Sequence, residues 1–184
     1  MASTLAQSDD TTDAQVVDKA KFEIFRFDDA PGLLDSPDTM EADPLPEKIM
    51  PFLAKAVESG IREGSVIKHL VSMPGFSLFH VWFKRDFPLP LHSHDSDCLY
   101  YIVAGSIRLG TETLGPRDSF FVPRDVPYQY RPGPEGVELL EFKHATKGNL
   151  KHYSKTEAFW SKAVETIIAN REAWIDAKMP PLNC

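Results

Sequence analysis

The sequence predicts an all-β domain with a helix on each flank. Three observations lead there. A hydrophobic period of two begins near Gly64 and recurs in short runs as far as His144. Gly and Pro clusters separate those runs at the spacing of a sandwich or barrel. On either side, over 47–59 and 154–178, the period becomes helical. A chain of 184 residues suits one domain with an arm.

Residues 1–46 read as an acidic N-terminal arm, partly disordered, with 1–18 lowest in aromatic and branched residues. Within it, Phe22–Phe27 alternates well enough to predict a short strand, added to the body or to a partner. Pro31, Gly32, Pro37, Pro44 and Pro46 predict an extended wrap. The barrel with its leading helix spans 47–150. In the helix, Ile49, Phe52, Leu53, Ala56 and Val57 share a face, Pro51 suits a first turn, and Gly60 lies just past the end.

Gly64–Ser72 and Ser77–Arg85 predict two strands about a turn at Met73-Pro74-Gly75. Further strands follow at Cys98–Ala104, Ser106–Thr111, Ser119–Val122, Tyr128–Arg131 and Val137–His144, broken by Gly105, Gly115-Pro116 and Pro132-Gly133-Pro134. Residues 151–184 read as a C-terminal helix. There Ser154 and Glu157 have capping-box spacing, and Trp160, Ala163, Val164, Ile167 and Trp174 make an apolar stripe that needs a barrel or a second subunit to cover it.

The net charge of −7 is unevenly placed: residues 1–47 hold twelve acids and three bases, and the remainder is close to neutral. Nucleic acid and anionic membrane surfaces both call for clustered Lys and Arg, so neither is an expected partner. Two cysteines make no disulfide scaffold. The polar, acidic start lacks a secretory apolar core, and a cytoplasmic location is expected. Neither a P-loop, nor a Rossmann glycine pattern, nor a nucleophile elbow occurs.

The chemistry concentrates in Pro90–Gly105. His92 and His94 alternate, so on a strand both imidazoles point the same way, the beginning of a Zn, Fe, Ni, Mn or Cu site. This stretch resembles the first motif of the cupin superfamily through His92, His94, Gly105 and the run Tyr101-Ile102-Val103. Gly115–Tyr128 is similar in frame to the second motif. The resemblance covers about 64–145 and implies a double-stranded β-helix, or jelly-roll, barrel. It departs at two ligand positions. Cys98 stands where the motif has Glu, and Tyr128 where it has His.

Three readings of Cys98 follow: a third ligand beside His92 and His94, a small buried hydrophobe, or a thiol coupled to a tyrosine. The third resembles cysteine dioxygenases, which need a further histidine. Tyr100 shares the face of Cys98, and the resemblance implies that Tyr100 and Tyr128 are candidate bases or ligands. His80, Glu141 and His144 stay open as pocket residues, while His69 and His152 read as surface or structural. Phe79, Trp82, Phe83 and Phe121 are expected to wall the pocket. Together these imply a divalent metal, Fe(II) first and Zn, Ni or Mn next, acting on a small organic substrate in a non-haem dioxygenase. The alternatives are a cupin lyase or isomerase, and a non-catalytic sensor or storage module. Small cupins that resemble this chain are commonly dimers, so a homodimer is expected.

Overall fold

The computed structural model describes residues 21–35 and 40–182. The reading of 1–18 as disordered, and Cys184, lie outside the described residues. In chain order the elements are β1 (Met40–Ala42), α1 (Met50–Glu58), β2 (Ser65–Met73), β3 (Phe76–Phe83), β4 (His92–His94), β5 (Cys98–Leu109), β6 (Glu112–Leu114), β7 (Ser119–Val122), β8 (Arg131–Lys143), β9 (Gly148–His152) and α2 (Glu157–Ile175). Strands β2-β3-β8-β5-β6 make one sheet with β7 also on β5, and β1-β9-β4 make a second. The predicted all-β class with flanking helices is observed.

Strand alternation decides what the larger sheet buries. Phe79, Val81 and Phe83 of β3, Ile102 of β5, and Val137 and Leu139 of β8 all belong to one core. They lie side by side because β8 pairs antiparallel with both neighbours, setting Val81 and Ile102 opposite Leu139. Each such side chain, removed from water, contributes about 1.5–3 kcal/mol before entropy is charged against it.

Two predicted interruptions do not end strands. β5 continues through Gly105, where the backbone turns to φ +73° and the register with β8 shifts between Gly105 and Ile107. That is a bulge, and only glycine suits it: a Cβ there would collide with the carbonyl oxygen of Gly136. β8 likewise runs through Pro132-Gly133-Pro134, with Pro132 opposite Ile107 at the same irregularity. Tyr128, predicted to begin a strand, makes only an isolated bridge to His92.

Phe22–Phe27 is not a strand. The edge of β2 is met instead by Pro31, whose carbonyl accepts from the His69 N–H at 3.0 Å, and by a bridge from Gly32 to Lys68. Phe27 docks edge-on against His80 at 4.8 Å between ring centroids, while Phe22 and Ile24 stay exposed.

In α1, Pro51 falls in the first turn, and Gly60 follows with φ +101°. For α2, Thr156 rather than Ser154 is the cap, accepting from the Phe159 N–H at 3.3 Å. Ser154 is committed elsewhere: its hydroxyl accepts from the Leu91 N–H and its carbonyl from Trp160 Nε1, both at 2.9 Å. The predicted stripe does bury, with Trp160, Ala163, Ile167 and Trp174 inside. Trp174 donates from Nε1 to the Arg85 carbonyl at 2.8 Å, which fixes the helix to the end of β3. Among the described residues, no helix is long and apolar enough to cross a membrane.

Candidate metal and acid–base site

Two adjacent rows of the larger sheet build one wall of the site. Cross-strand register places His69, Phe79, Glu141, Tyr100 and Phe120 in one row. Ser77, Lys143, Cys98 and Val122 occupy the next. The polar members share the buried parity of Val137 and Leu139, so Glu141 and Lys143 point inward. Across from them, β4 presents His92 and His94, both buried.

Each imidazole is aimed by a backbone carbonyl. His94 Nδ1 lies 2.9 Å from Asn149 O, and His92 Nδ1 lies 2.7 Å from Pro90 O. A carbonyl only accepts, so Nδ1 carries the proton in both rings and Nε2 keeps a free lone pair. Burial lowers the pKa of both histidines, His92 to about 4, so both are neutral at pH 7. Neutral imidazoles anchored through Nδ1–H are oriented as metal ligands are.

The two lone pairs have different neighbours. His94 Nε2 is 3.4 Å from Glu141 Oε1. Ligand atoms of His94, Cys98 and Glu141 all lie within 4.8 Å of one another, and the three residues are buried. Ligands on one ion at bond lengths of about 2.0–2.3 Å stand at most about 4.6 Å apart, so this nitrogen, sulfur and carboxylate set fits a divalent ion with small side-chain shifts. His92 Nε2 instead faces the Tyr128 hydroxyl at 2.9 Å. Tyr128 in turn touches the Tyr100 hydroxyl, and Tyr100 donates to Glu141 Oε1 at 2.9 Å.

Thus the sequence-nominated residues divide into two groups. His94 and Cys98 join Glu141, while His92 heads a chain through Tyr128 and Tyr100 that ends on the same carboxylate. Glu141 is the residue the sequence left undecided. The parity set by Val137 and Leu139 is the signal that selects it over His144, which is exposed. It brings from β8 a carboxylate near the thiol that replaces the motif's Glu.

Charge within the site is settled by competition. Burial pushes Glu141 up, but Lys143 at 3.1 Å, His94 and the Tyr100 hydroxyl outweigh it and hold the carboxyl at about 2. Burial, then the field of Glu141, pushes the Cys98 thiol up to about 12, so it keeps its proton near the Ser96 carbonyl at 3.5 Å. Burial and the same carboxylate raise both tyrosines well above 10, so neither phenolate forms unaided at neutral pH. The chain from His92 to Glu141 has three links and two hydroxyl protons. With His92 neutral one link lacks a proton, and the chain has room for one more.

Other nominated residues fall elsewhere. His80 pairs with Glu138 at 2.8 Å on the opposite face of the sheet. His69 is buried, stacked on Phe79 at 4.4 Å, and His152 sits opposite His92 on β9; both are structural rather than surface residues. Phe121 does not wall the pocket: it is 59% exposed, because its neighbour Phe120 takes the inward position and stacks on Tyr100 at 4.5 Å. Trp82 also leaves the wall, lying beneath Lys84 on the other face. Lys143 was missed by sequence reading altogether, since a charged residue at a strand end signals exposure.

Solved structures similar to this chain include proteins described as cupins or as having a cupin-like fold. The polyketide cyclase RemF of Streptomyces resistomycificus is 19% identical, with a TM-score of 0.48 over 58% of this chain and 82% of that one. An RmlC-like cupin of Shewanella frigidimarina is 24% identical, with a TM-score of 0.40 over 44% and 76%. Oxalate decarboxylase of Bacillus subtilis, a protein with Mn(II) centres, is 19% identical, with a TM-score of 0.41 over 45% of this chain. The match spans 26% of that decarboxylase, about a quarter of its length. No family model matches the sequence, and no curated protein matches it. The likeness is one of fold.

Proposed function

We propose that this protein is a metal-dependent enzyme acting on a small organic substrate, most simply a non-haem iron dioxygenase. The observation that carries the reading is the buried cluster of His94, Cys98 and Glu141 beside the carbonyl-anchored His92. His94 and Glu141 would hold the ion, with Cys98 a third ligand once its proton leaves. His92, whose Nε2 faces the Tyr128 hydroxyl at 2.9 Å, would stand outside the ligand set as the proton acceptor. When bound, a divalent ion supplies Lewis-acid or redox chemistry to substrate at its open positions. Fe(II) suits a mixed nitrogen, carboxylate and thiolate set, and Zn, Ni or Mn also match parts of it.

The tyrosines supply proton handling. Tyr128 is the group through which His92 takes up a substrate proton: its hydroxyl passes its own proton to Nε2 and accepts another in turn. Tyr100 holds its proton on Glu141 Oε1 and keeps that carboxylate oriented. A lyase or isomerase would use the same relay without oxygen. A second reading, a binding module without turnover, is favoured by Lys143, which already neutralises Glu141 in the metal-free protein. The exposed Phe22, Ile24 and Phe25 support a homodimer, and sedimentation velocity tests it.

The functional test is elemental analysis with anaerobic Fe(II), Mn(II) and Zn(II) titration of the purified chain and its His94→Ala and Glu141→Gln variants, followed by oxygen uptake across a panel of small substrates. One ion per chain, lost in both variants, with turnover lost alongside it, supports the enzyme. Stoichiometric metal with no turnover selects the binding module. Metal affinity unchanged by both substitutions overturns the site.

A further inference from the structure

The outward face of the larger sheet carries an apolar row that stays open to water. Register sets Val71, Leu78, Phe142, Leu99 and Phe121 side by side across β2, β3, β8, β5 and β7. None of the five is charged. On β3, β8, β5 and β7 they alternate with Phe79, Glu141, Tyr100 and Phe120 of the site wall, so the row points away from the site. Leu99 and Phe121 are exposed, and the exposed ring of Phe76 lies 6.2 Å from that of Phe142. The adjacent row places Leu140 and exposed Tyr101 beside His80, on which Phe27 docks. Phe27 thereby brings the arm onto the same face, and the arm leaves Phe22, Ile24 and Phe25 exposed as well.

Magnitude separates this face from ordinary surface. Large apolar side chains carry about 150–250 Å² each, so the exposed fractions of Phe76, Leu99, Tyr101 and Phe121 with those of the arm come to roughly 800 Å². The largest apolar patch on a typical monomer is about 300–600 Å², and a stable interface takes about 800 Å² from each partner.

The rest of this sequence has little to cover it with. Residues 1–20 offer Met1, Leu5, Val16 and Val17 as their large apolar side chains, and residues 36–39 are Ser-Pro-Asp-Thr. A second copy meets the need. Because the row is uncharged, turning it onto itself about a two-fold axis sets apolar against apolar with no like charges opposed. Two sheets packed face to face keep their strand directions within about 30°, a geometry that twisted sheets of this kind reach without distortion.

We propose that this chain self-associates through the outer face of its larger sheet, with Leu99 and Phe121 buried in the contact and the Phe22–Phe27 arm along its margin. The proposal rests on the homodimer reading above and assigns a surface to it. The site stays whole in each copy, since Cys98, Tyr100 and Phe120 point the other way.

Sedimentation velocity over a concentration series reads the association of the full chain and of its Leu99→Glu, Leu99→Lys and Phe121→Glu variants. Both positions are exposed, so the variants are expected to fold. Wild type is expected to be a dimer. Each variant alone is expected to raise the dimer Kd by at least about tenfold, because apposed like charges add to the lost apolar burial. An equimolar mixture of Leu99→Glu and Leu99→Lys chains is expected to dimerise again, which unfolding of either would not allow. A wild type that is monomeric at every concentration overturns the surface and the homodimer reading together. A wild-type dimer whose Kd is unchanged in Leu99→Glu and Phe121→Glu overturns the surface alone.

Discussion

Replacing Glu141 by Gln removes a charge that two groups stabilise at neutral pH: the Lys143 ammonium at 3.1 Å and the Tyr100 hydroxyl at 2.9 Å. The carboxyl is held at about 2, against an ordinary value of 4.5. A displacement of that size corresponds to about 3 kcal/mol of native-state preference for the ionised form. The variant also strands the Lys143 ammonium in the interior, and breaking a buried pair from one side costs about 3–5 kcal/mol. For a domain of this size each kcal/mol moves Tm by about 2–4 °C, so Glu141→Gln is expected to lower Tm by about 6–20 °C. Scanning calorimetry and urea unfolding of the metal-free protein measure it. The paired variant Glu141→Gln with Lys143→Met removes both charges and is expected to recover most of the loss, a coupling that a double-mutant cycle isolates. A loss below about 1 kcal/mol in the single variant, or strict additivity in the pair, refutes the account of the site's electrostatics.

Three further outcomes follow from the same geometry. At pH 7 the histidines are neutral and Glu141 is ionised, so Cys98 is the one member of the triad with a proton to give; metal binding should release about one proton per ion if sulfur ligates, and none in Cys98→Ala, as calorimetry in buffers of different ionisation enthalpy will show. Proton release unchanged in Cys98→Ala would remove sulfur from the ligand set. Because His92 falls from 6.5 to about 4 on folding, the unfolded chain binds the extra proton as pH drops through that window. Stability of the metal-free protein should therefore fall by about 3 kcal/mol between pH 6.5 and 4, with His94 acting in the same direction, and a flat profile in denaturant melts would contradict it. Gly105→Ala meets both a φ of +73° and the Gly136 carbonyl. It should cost more than the 1–3 kcal/mol of a left-handed backbone alone, and near-wild-type unfolding would discredit the bulge as the reason for glycine there.

The sequence exposed what periodicity can carry. Long, regular runs such as Phe76–Phe83 and the Trp160–Trp174 stripe have enough residues for alternation or helical spacing to show. Strands of three to five residues, β1, β4, β6, β7 and β9, offer one or two alternations and no more, and of these the Phe-Phe-Val run of β7 alone had its bounds predicted. β9 was the costly omission, because the Asn149 carbonyl that aims His94 comes from it. Pro132-Gly133-Pro134 read as a break because local turn chemistry does not reveal a partner strand able to absorb it as a bulge. His92, His94, Cys98, Tyr100 and Tyr128 were nominated from spacing and motif, yet their division between a triad and a hydroxyl chain depends on Glu141. That residue reaches them through register with β5, and pairing of distant segments is not written in local spacing.

The triad draws on both sheets, His94 from the three-stranded one and Cys98 and Glu141 from the larger. β4 itself is three residues long, with β9 its one ladder partner. An ion shared across that gap would act as a rivet between layers, its binding energy entering the mechanical cohesion of the domain as well as its chemistry. At a free concentration of 100 times Kd such a tie adds about 2.7 kcal/mol. The gain would be concentrated in the weaker layer, where amide exchange of β4 and β9 should slow most when metal is supplied.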